Sequence, residues 1–191
     1  MRAFVFKNRG LLLTLPAALL AKFGKPSASS IALGLPVAFA GELLRCWAVG
    51  YSGETTRGDV VSAPELVTAG PYAYVRNPLY LGNFLTAAGF AVAFTGKNPP
   101  GTRALLVGGS LAAMLAVYAT IVPHEEAFLR SQFGELFDDY CRLVPPFVPS
   151  LEPMEGGNGT WKAGVVRDAE SKTFVTFGVM LLALWLRARK A

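Results

Sequence analysis

Histidine and cysteine are nearly missing from this chain. Among 191 residues there is one histidine, His124, and two cysteines, Cys46 and Cys141, with no CxxC pair. A structural zinc site takes four ligands, usually Cys or His, so these residues build none, and no metal is expected. Charge is scarce as well: Asp, Glu, Lys and Arg make up 16% of the chain, against about 25% in ordinary soluble domains. Phosphate-cradling and hydrolase signatures are absent. There is no G-x-G-x-x-G following a strand, no P-loop, no G-x-S-x-G and no H-E-x-x-H. Together these absences exclude a disordered chain, a zinc module and the nucleotide-binding α/β folds.

What the chain has instead is apolar surface. The AVILMFWYC set is 52% of residues and the mean hydropathy is +0.40. The net charge of +5 is scattered, and the basic residues sit mostly at the ends of apolar runs. Loops of membrane proteins look like that, whereas a nucleic-acid binder carries a basic stripe; nucleic acid is not an expected partner. The expected class is an all-α integral membrane protein forming one domain, 1–191.

Three runs read as spans: Ser29–Gly50, Pro78–Thr95 and Thr102–Val122, of 22, 18 and 21 residues. At 1.5 Å per residue they reach about 33, 27 and 31 Å, close to the ~30 Å hydrocarbon core. Two shorter runs, Leu11–Ala21 and Thr173–Leu186, are each a short span, an interfacial helix or a re-entrant piece. The expectation is a bundle of about five transmembrane helices. A cleaved signal peptide is the weaker reading of the first run. Its A-x-A-like site, Ala38-Phe39-Ala40, lies some 17 residues beyond the apolar stretch. With five spans and the N-terminus in the cytoplasm, 11 Lys and Arg fall inside and 7 outside. The positive-inside bias favours that topology, although Arg187, Arg189 and Lys190 oppose it.

Gly96-Lys97-Asn98-Pro99-Pro100-Gly101 is a strong turn. It makes 78–95 and 102–122 a hairpin, and puts the polar segments Tyr51–Asn77 and Pro123–Lys172 at one membrane face. Chemistry is expected there. In the first segment Pro78 is a favoured first helical residue, which leaves Arg76 at the membrane surface. Read functionally, Arg76 pairs with a carboxylate and the rings of Tyr72, Tyr74 and Tyr80 line a pocket for a cation or flat ring. Read as scaffold, Tyr and Arg are interfacial anchors. In the second segment Pro123 is expected to open a new helix with His124, Glu125 and Glu126 in its first turn. Carboxylates near membrane depth are costly unless partnered, and Arg76 is the candidate partner. Downstream, Leu129, Phe133, Leu136 and Tyr140 form an amphipathic stripe. Glu42 and Arg45 read as an intrahelical pair, and Gly82 and Gly89 as close-packing positions.

Two motif blocks carry a resemblance. One is Gly70-Pro71-Tyr72-x-Tyr74-Val75-Arg76-Asn77-Pro78-x-Tyr80-x-Gly82. The other joins Glu125-Glu126 to Leu129, Phe133-Gly134, Phe137, Tyr140, Val144-Pro145, Phe147 and Pro149. With the hairpin between them, the stretch 66–151 resembles the isoprenylcysteine carboxyl methyltransferase family, which is related to the membrane phospholipid methyltransferases. The resemblance implies S-adenosylmethionine as methyl donor and a cofactor pocket at the cytosolic face. It also implies a lipidic or prenylated acceptor entering sideways from the bilayer lipids. It makes Arg76, Asn77 and Glu126 the catalytic candidates. The candidate cofactor-binding set is Tyr72, Tyr74, Arg76, Pro78, Tyr80, Gly82, His124, Glu125 and Glu126.

Two positions depart from the family pattern. Asn77 stands where the family usually has histidine, and Asn exchanges no proton near neutral pH. Phe137 stands where it has tyrosine. A carboxylate acceptor needs no base, whereas an amine must first lose a proton, so Asn77 tilts the expectation toward O-methylation, with phospholipid N-methylation as the alternative. A nicotinamide-dependent membrane reductase is a weaker alternative. The motif blocks offer only Arg76, Arg130 and Arg142 for its phosphates. A non-catalytic membrane protein is the last. The tail 152–191 lies outside the resemblance.

Overall fold

The computed structural model describes residues 8–53 and 63–190. Arg2, Lys7 and Arg57, three of the residues weighed for orientation, lie outside the described residues. The elements are α1 (Arg9–Phe23), α2 (Ala28–Ser52), a 3-10 turn (Gly70–Ala73), α3 (Pro78–Phe94), α4 (Pro100–Phe133), α5 (Glu135–Leu143) and α6 (Ala163–Ala188). There is no strand among the described residues. Three helices are long and apolar enough to cross a membrane: α2, α4 and α6. Large side chains such as Leu33, Leu105 and Val175 point outward on them.

The helix boundaries follow local chemistry. Ser27 caps α2, and its side chain and that of Ser30 close a reciprocal capping box. Pro78 and Pro100 sit in the first turns of α3 and α4, where a missing N–H costs nothing. α3 has 17 residues, about 25 Å, which is the short side of the spanning range. α6 is longer than its apolar run: it begins at Ala163 rather than Thr173 and holds 26 residues.

One expectation is corrected outright. Pro123 opens no helix; α4 runs unbroken through it for 34 residues. Proline removes one backbone bond in a helix interior, and apolar helices tolerate this when neighbours compensate. The break comes at Gly134, whose φ of 54° lies in the left-handed region that glycine enters freely. That break resets the helical phase. Leu136, expected on the buried stripe, is exposed, while Phe137 is buried with Tyr140 and Val144.

Glycines bring α2 and α3 together. A Cβ on Gly34 would sit 2.3 Å from the Gly89 carbonyl, and one on Gly41 2.5 Å from the Gly82 carbonyl. The two backbones touch, as small residues permit between membrane helices. At the end away from the polar segments, Asn98 accepts from the Lys25 N–H at 2.7 Å and donates to the Phe23 carbonyl at 2.9 Å. At the other end the Lys162 N–H reaches the Gly50 carbonyl. Successive long helices therefore alternate in direction, and the described parts of both polar segments gather at one end.

Candidate active site

The two motif blocks fold onto each other. The Arg76 N–H bonds the Pro145 carbonyl at 2.9 Å, Ser150 N–H bonds Tyr74 O at 2.9 Å, and Met154 N–H bonds Ala73 O at 2.9 Å. Tyr140 donates its hydroxyl to Tyr72 O at 2.7 Å, and Asn77 donates its amide to Pro146 O at 3.1 Å. Asn77 thus acts as a strap on the proline-rich strip.

Arg76 meets a carboxylate, and it is Glu126. Its Nε donates to Glu126 Oε1 at 3.1 Å, and Nη2 lies 3.0 Å from the same oxygen. Nη1 donates to the carbonyls of Val144 at 2.7 Å and Cys141 at 3.2 Å, which are end-of-helix groups of α5 that lack intrahelical donors. Three of the five guanidinium N–H groups are thereby committed. Arg76 clamps α4 to α5, leaving little of it for a ligand carboxylate.

Glu125 faces another partner. Tyr80 donates to its Oε1 at 2.7 Å, and the Tyr80 ring packs on Tyr118 with centroids 4.6 Å apart. Adjacent residues on a helix point about 100° apart, so the two glutamates serve two different walls. Burial pushes the phenols of Tyr72 and Tyr140 far above their ordinary range. The charge of Glu125 adds to this at Tyr72. Both phenols stay neutral and act as hydrogen-bonding rings rather than bases. Burial also raises the Cys141 thiol, against the pull of Arg76, so it offers no thiolate nucleophile.

These groups open into one cavity of about 1110 Å³, lined at its polar end by Tyr72, Arg76, Tyr80, Glu125, Glu126 and Tyr140. Asn77 and Pro78 also line it, whereas Tyr74, Gly82 and His124 do not. Tyr74 packs on Trp47, with centroids 6.4 Å apart. Gly82 serves the α2–α3 contact, where a Cβ would meet Arg45 Cγ at 2.7 Å. His124 is half-buried on α4.

Sequence reasoning missed Tyr118 and Arg45. Tyr118 lies mid-run in an apolar helix and carries no local signal. Arg45 lines the cavity and was paired with Glu42 by spacing alone. In the structure its Nη2 meets Glu170 Oε1 and Oε2 at 2.8 and 2.9 Å, and its Nη1 donates to Asn83. No cluster of three or more His, Cys, Asp or Glu side chains suited to a metal occurs among the described residues.

The chain is similar in sequence to several known proteins. The chain is 37% identical over 101 residues to the cobalt-zinc-cadmium resistance protein CzcN of Cupriavidus metallidurans, covering 52% of this chain and 42% of that one. It is 36% identical over 88 residues to the nickel-cobalt-cadmium resistance protein NccN of Alcaligenes xylosoxydans xylosoxydans, covering 46% and 37%. It is 30% identical over 121 residues to the protein-S-isoprenylcysteine O-methyltransferase of Schizosaccharomyces pombe, covering 58% and 46%. The chain therefore spans less than half the length of these three relatives. No solved structure matches it. The family model for phospholipid methyltransferases matches residues 29–136, which is α2 through the start of α5 and more than half of the chain: the chain belongs to the phospholipid methyltransferase family.

Proposed function

We propose that the protein is a membrane-embedded methyltransferase that uses S-adenosylmethionine. In this reading the acceptor is lipidic or prenylated, and it is methylated on a carboxylate as in isoprenylcysteine O-methylation. The observation that supports it most is the lining of the cavity's polar end, where Glu125 and Glu126 stand beside Arg76 among the rings of Tyr72, Tyr80, Tyr118 and Tyr140. S-adenosylmethionine carries a sulfonium, an ammonium and a carboxylate, a net single positive charge, and it supplies an activated methyl group when bound. Glutamates suit its ammonium or ribose hydroxyls, and neutral tyrosine faces suit a sulfonium.

The chain's own residues then position and shield. Arg76 holds Glu126 and the end of α5 in place. Tyr80 fixes the orientation of Glu125, and Asn77 ties down the proline-rich strip. Alignment of acceptor and methyl carbon at about 3–3.5 Å is the main catalytic demand, and a rigid clamp serves it. No imidazole lines the cavity, and a carboxylate acceptor needs none, being ionised already near neutral pH. This supports O-methylation over phospholipid N-methylation. We further propose five membrane-crossing helices in one domain, with the polar end at the cytosolic face.

The test is acceptor turnover by the purified protein, with tritiated methyl groups counted on prenylcysteine analogues and on phosphatidylethanolamine. Faster labelling of the prenylcysteine supports the reading. Faster labelling of the phospholipid replaces O-methylation with N-methylation, and no labelling of either rejects both.

A further inference from the structure

The family model stops at residue 136, yet the cavity does not. Its wall is completed by α6, which contributes Thr173, Phe177, Met180 and Ala183. α6 is fixed at two points. Glu170 is fully buried and holds Arg45 of α2, which also reaches Asn83 of α3. Near the far end, Arg187 Nε and Nη2 donate to the Gly24 carbonyl at 3.0 and 2.7 Å. A buried ion pair is weak evidence for stability, because desolvation offsets its attraction; its best-attested use is to fix register. Register matters here, because slipping α6 by one residue turns it about 100°. That would take Phe177 off Phe39 and Phe90, whose rings lie 5.0 and 5.1 Å away.

Away from the tyrosines and glutamates the lining is mainly apolar, with Leu20, Phe90, Met114, Phe177, Met180 and Ala183, and the hydroxyls of Thr86, Ser110 and Thr176 there donate to backbone carbonyls. From Thr173 to Ala183 is ten residues, about 15 Å along the helix. An extended chain advances about 1.2 Å per bond, so that depth matches about 12 carbons. We propose that α6 gauges the hydrocarbon chain of the acceptor. In this proposal the pocket between α6 and helices α1, α3 and α4 takes one extended chain of about 12 carbons. The polar head lies on the polar side of Thr173, facing the Arg76–Glu126 pair, and Arg45–Glu170 is the positioning pair that holds the gauge in register. The assignment of the head rests on the methyltransferase reading; the chain pocket stands on the cavity itself.

The experiment uses the full chain in lipid nanodiscs. The probes are S-alkyl-3-mercaptopropionates of 6 to 18 carbons, with S-farnesyl and dodecanoyl-lysophosphatidylethanolamine probes of the same extended length. Thermal shift reads binding, which needs no turnover, and methyl incorporation is followed in parallel. The wild type should bind best near 12 carbons. Ala183→Phe adds a ring about one contact distance deep, ~3.5–4 Å, and should move the optimum about three carbons shorter. Met180→Ala should move it longer, and Glu170→Gln should broaden it. Leu182→Phe, on the exposed face of α6, should leave it unchanged. Preference among the alkyl, prenyl and lysophospholipid heads at one shared length supports the pocket and names its source. A flat length profile, or an optimum that none of the three wall and register variants moves, overturns it. If the optimum shifts as stated but no methyl donor binds, the pocket stands and the methyltransferase reading falls.

Discussion

Replacing Arg76 with alanine removes the clamp on which the site depends. The side chain makes three hydrogen bonds, one to Glu126 and two to the last carbonyls of α5. Arg76 and Glu126 side chains are only 12% and 21% exposed, so solvent screens the pair weakly. Removing one partner of a buried pair costs about 3–5 kcal/mol. Partial exposure brings the expected cost to about 2–3 kcal/mol. All of it bears on the arrangement that presents Glu126 and α5, so methyl-donor affinity should fall about 30- to 150-fold. Isothermal titration in nanodiscs measures this. Hydrogen exchange over 135–150 should show α5 losing protection in the same variant. Arg76→Lys keeps the charge but offers three donors from a single point, and should fall between alanine and wild type. Affinity within about twofold of wild type, with α5 protection unchanged, would refute the reasoning.

Three further outcomes follow from named contacts. Tyr80→Phe deletes the 2.7 Å bond to Glu125 and keeps the ring on Tyr118; a loss of about 1 kcal/mol should weaken donor affinity about fivefold in a competition assay. Gly89→Ala places a Cβ 2.4 Å from the Ala38 nitrogen and 2.6 Å from the Gly34 carbonyl, and overpacking of about 1–3 kcal/mol should lower Tm by several degrees. Tyr72 and Tyr140 have folded-state pKa values raised above their unfolded values. Their stabilisation is complete below about pH 10 and is lost as pH rises further, by up to ~1.4 kcal/mol per pH unit for each phenol. Tm measured from pH 9 to 11 should therefore fall, and Tyr140→Phe should flatten the slope.

The meeting of the two motif blocks could be read from the sequence. The cost of a carboxylate near membrane depth pointed to Arg76 as the partner of Glu125 or Glu126, and the 100° turn between neighbours separated their roles. The turn at 96–101 was written in Gly and Pro, and it put the two motif blocks at one end. The misreadings have a common origin in rules that see only neighbours. Pro123 is a stop signal in water, yet α4 passes through it. Gly134 is only a weak helix residue by propensity, yet its positive φ resets the phase and buries Phe137 instead of Leu136. Spacing offered Arg45 only Glu42, and it missed Glu170, a carboxylate 125 residues away that Arg45 also meets. No periodicity encodes such a contact. The same distance hid the part of α6 in the cavity wall.

The central claim is a methyl-donor site at the polar end of the cavity. Its most direct test is equilibrium binding of radiolabelled S-adenosylmethionine to the purified protein, with S-adenosylhomocysteine and NADPH as competitors. Saturable binding displaced by S-adenosylhomocysteine and untouched by NADPH is the predicted result. No saturable binding, or displacement by NADPH, would contradict the account.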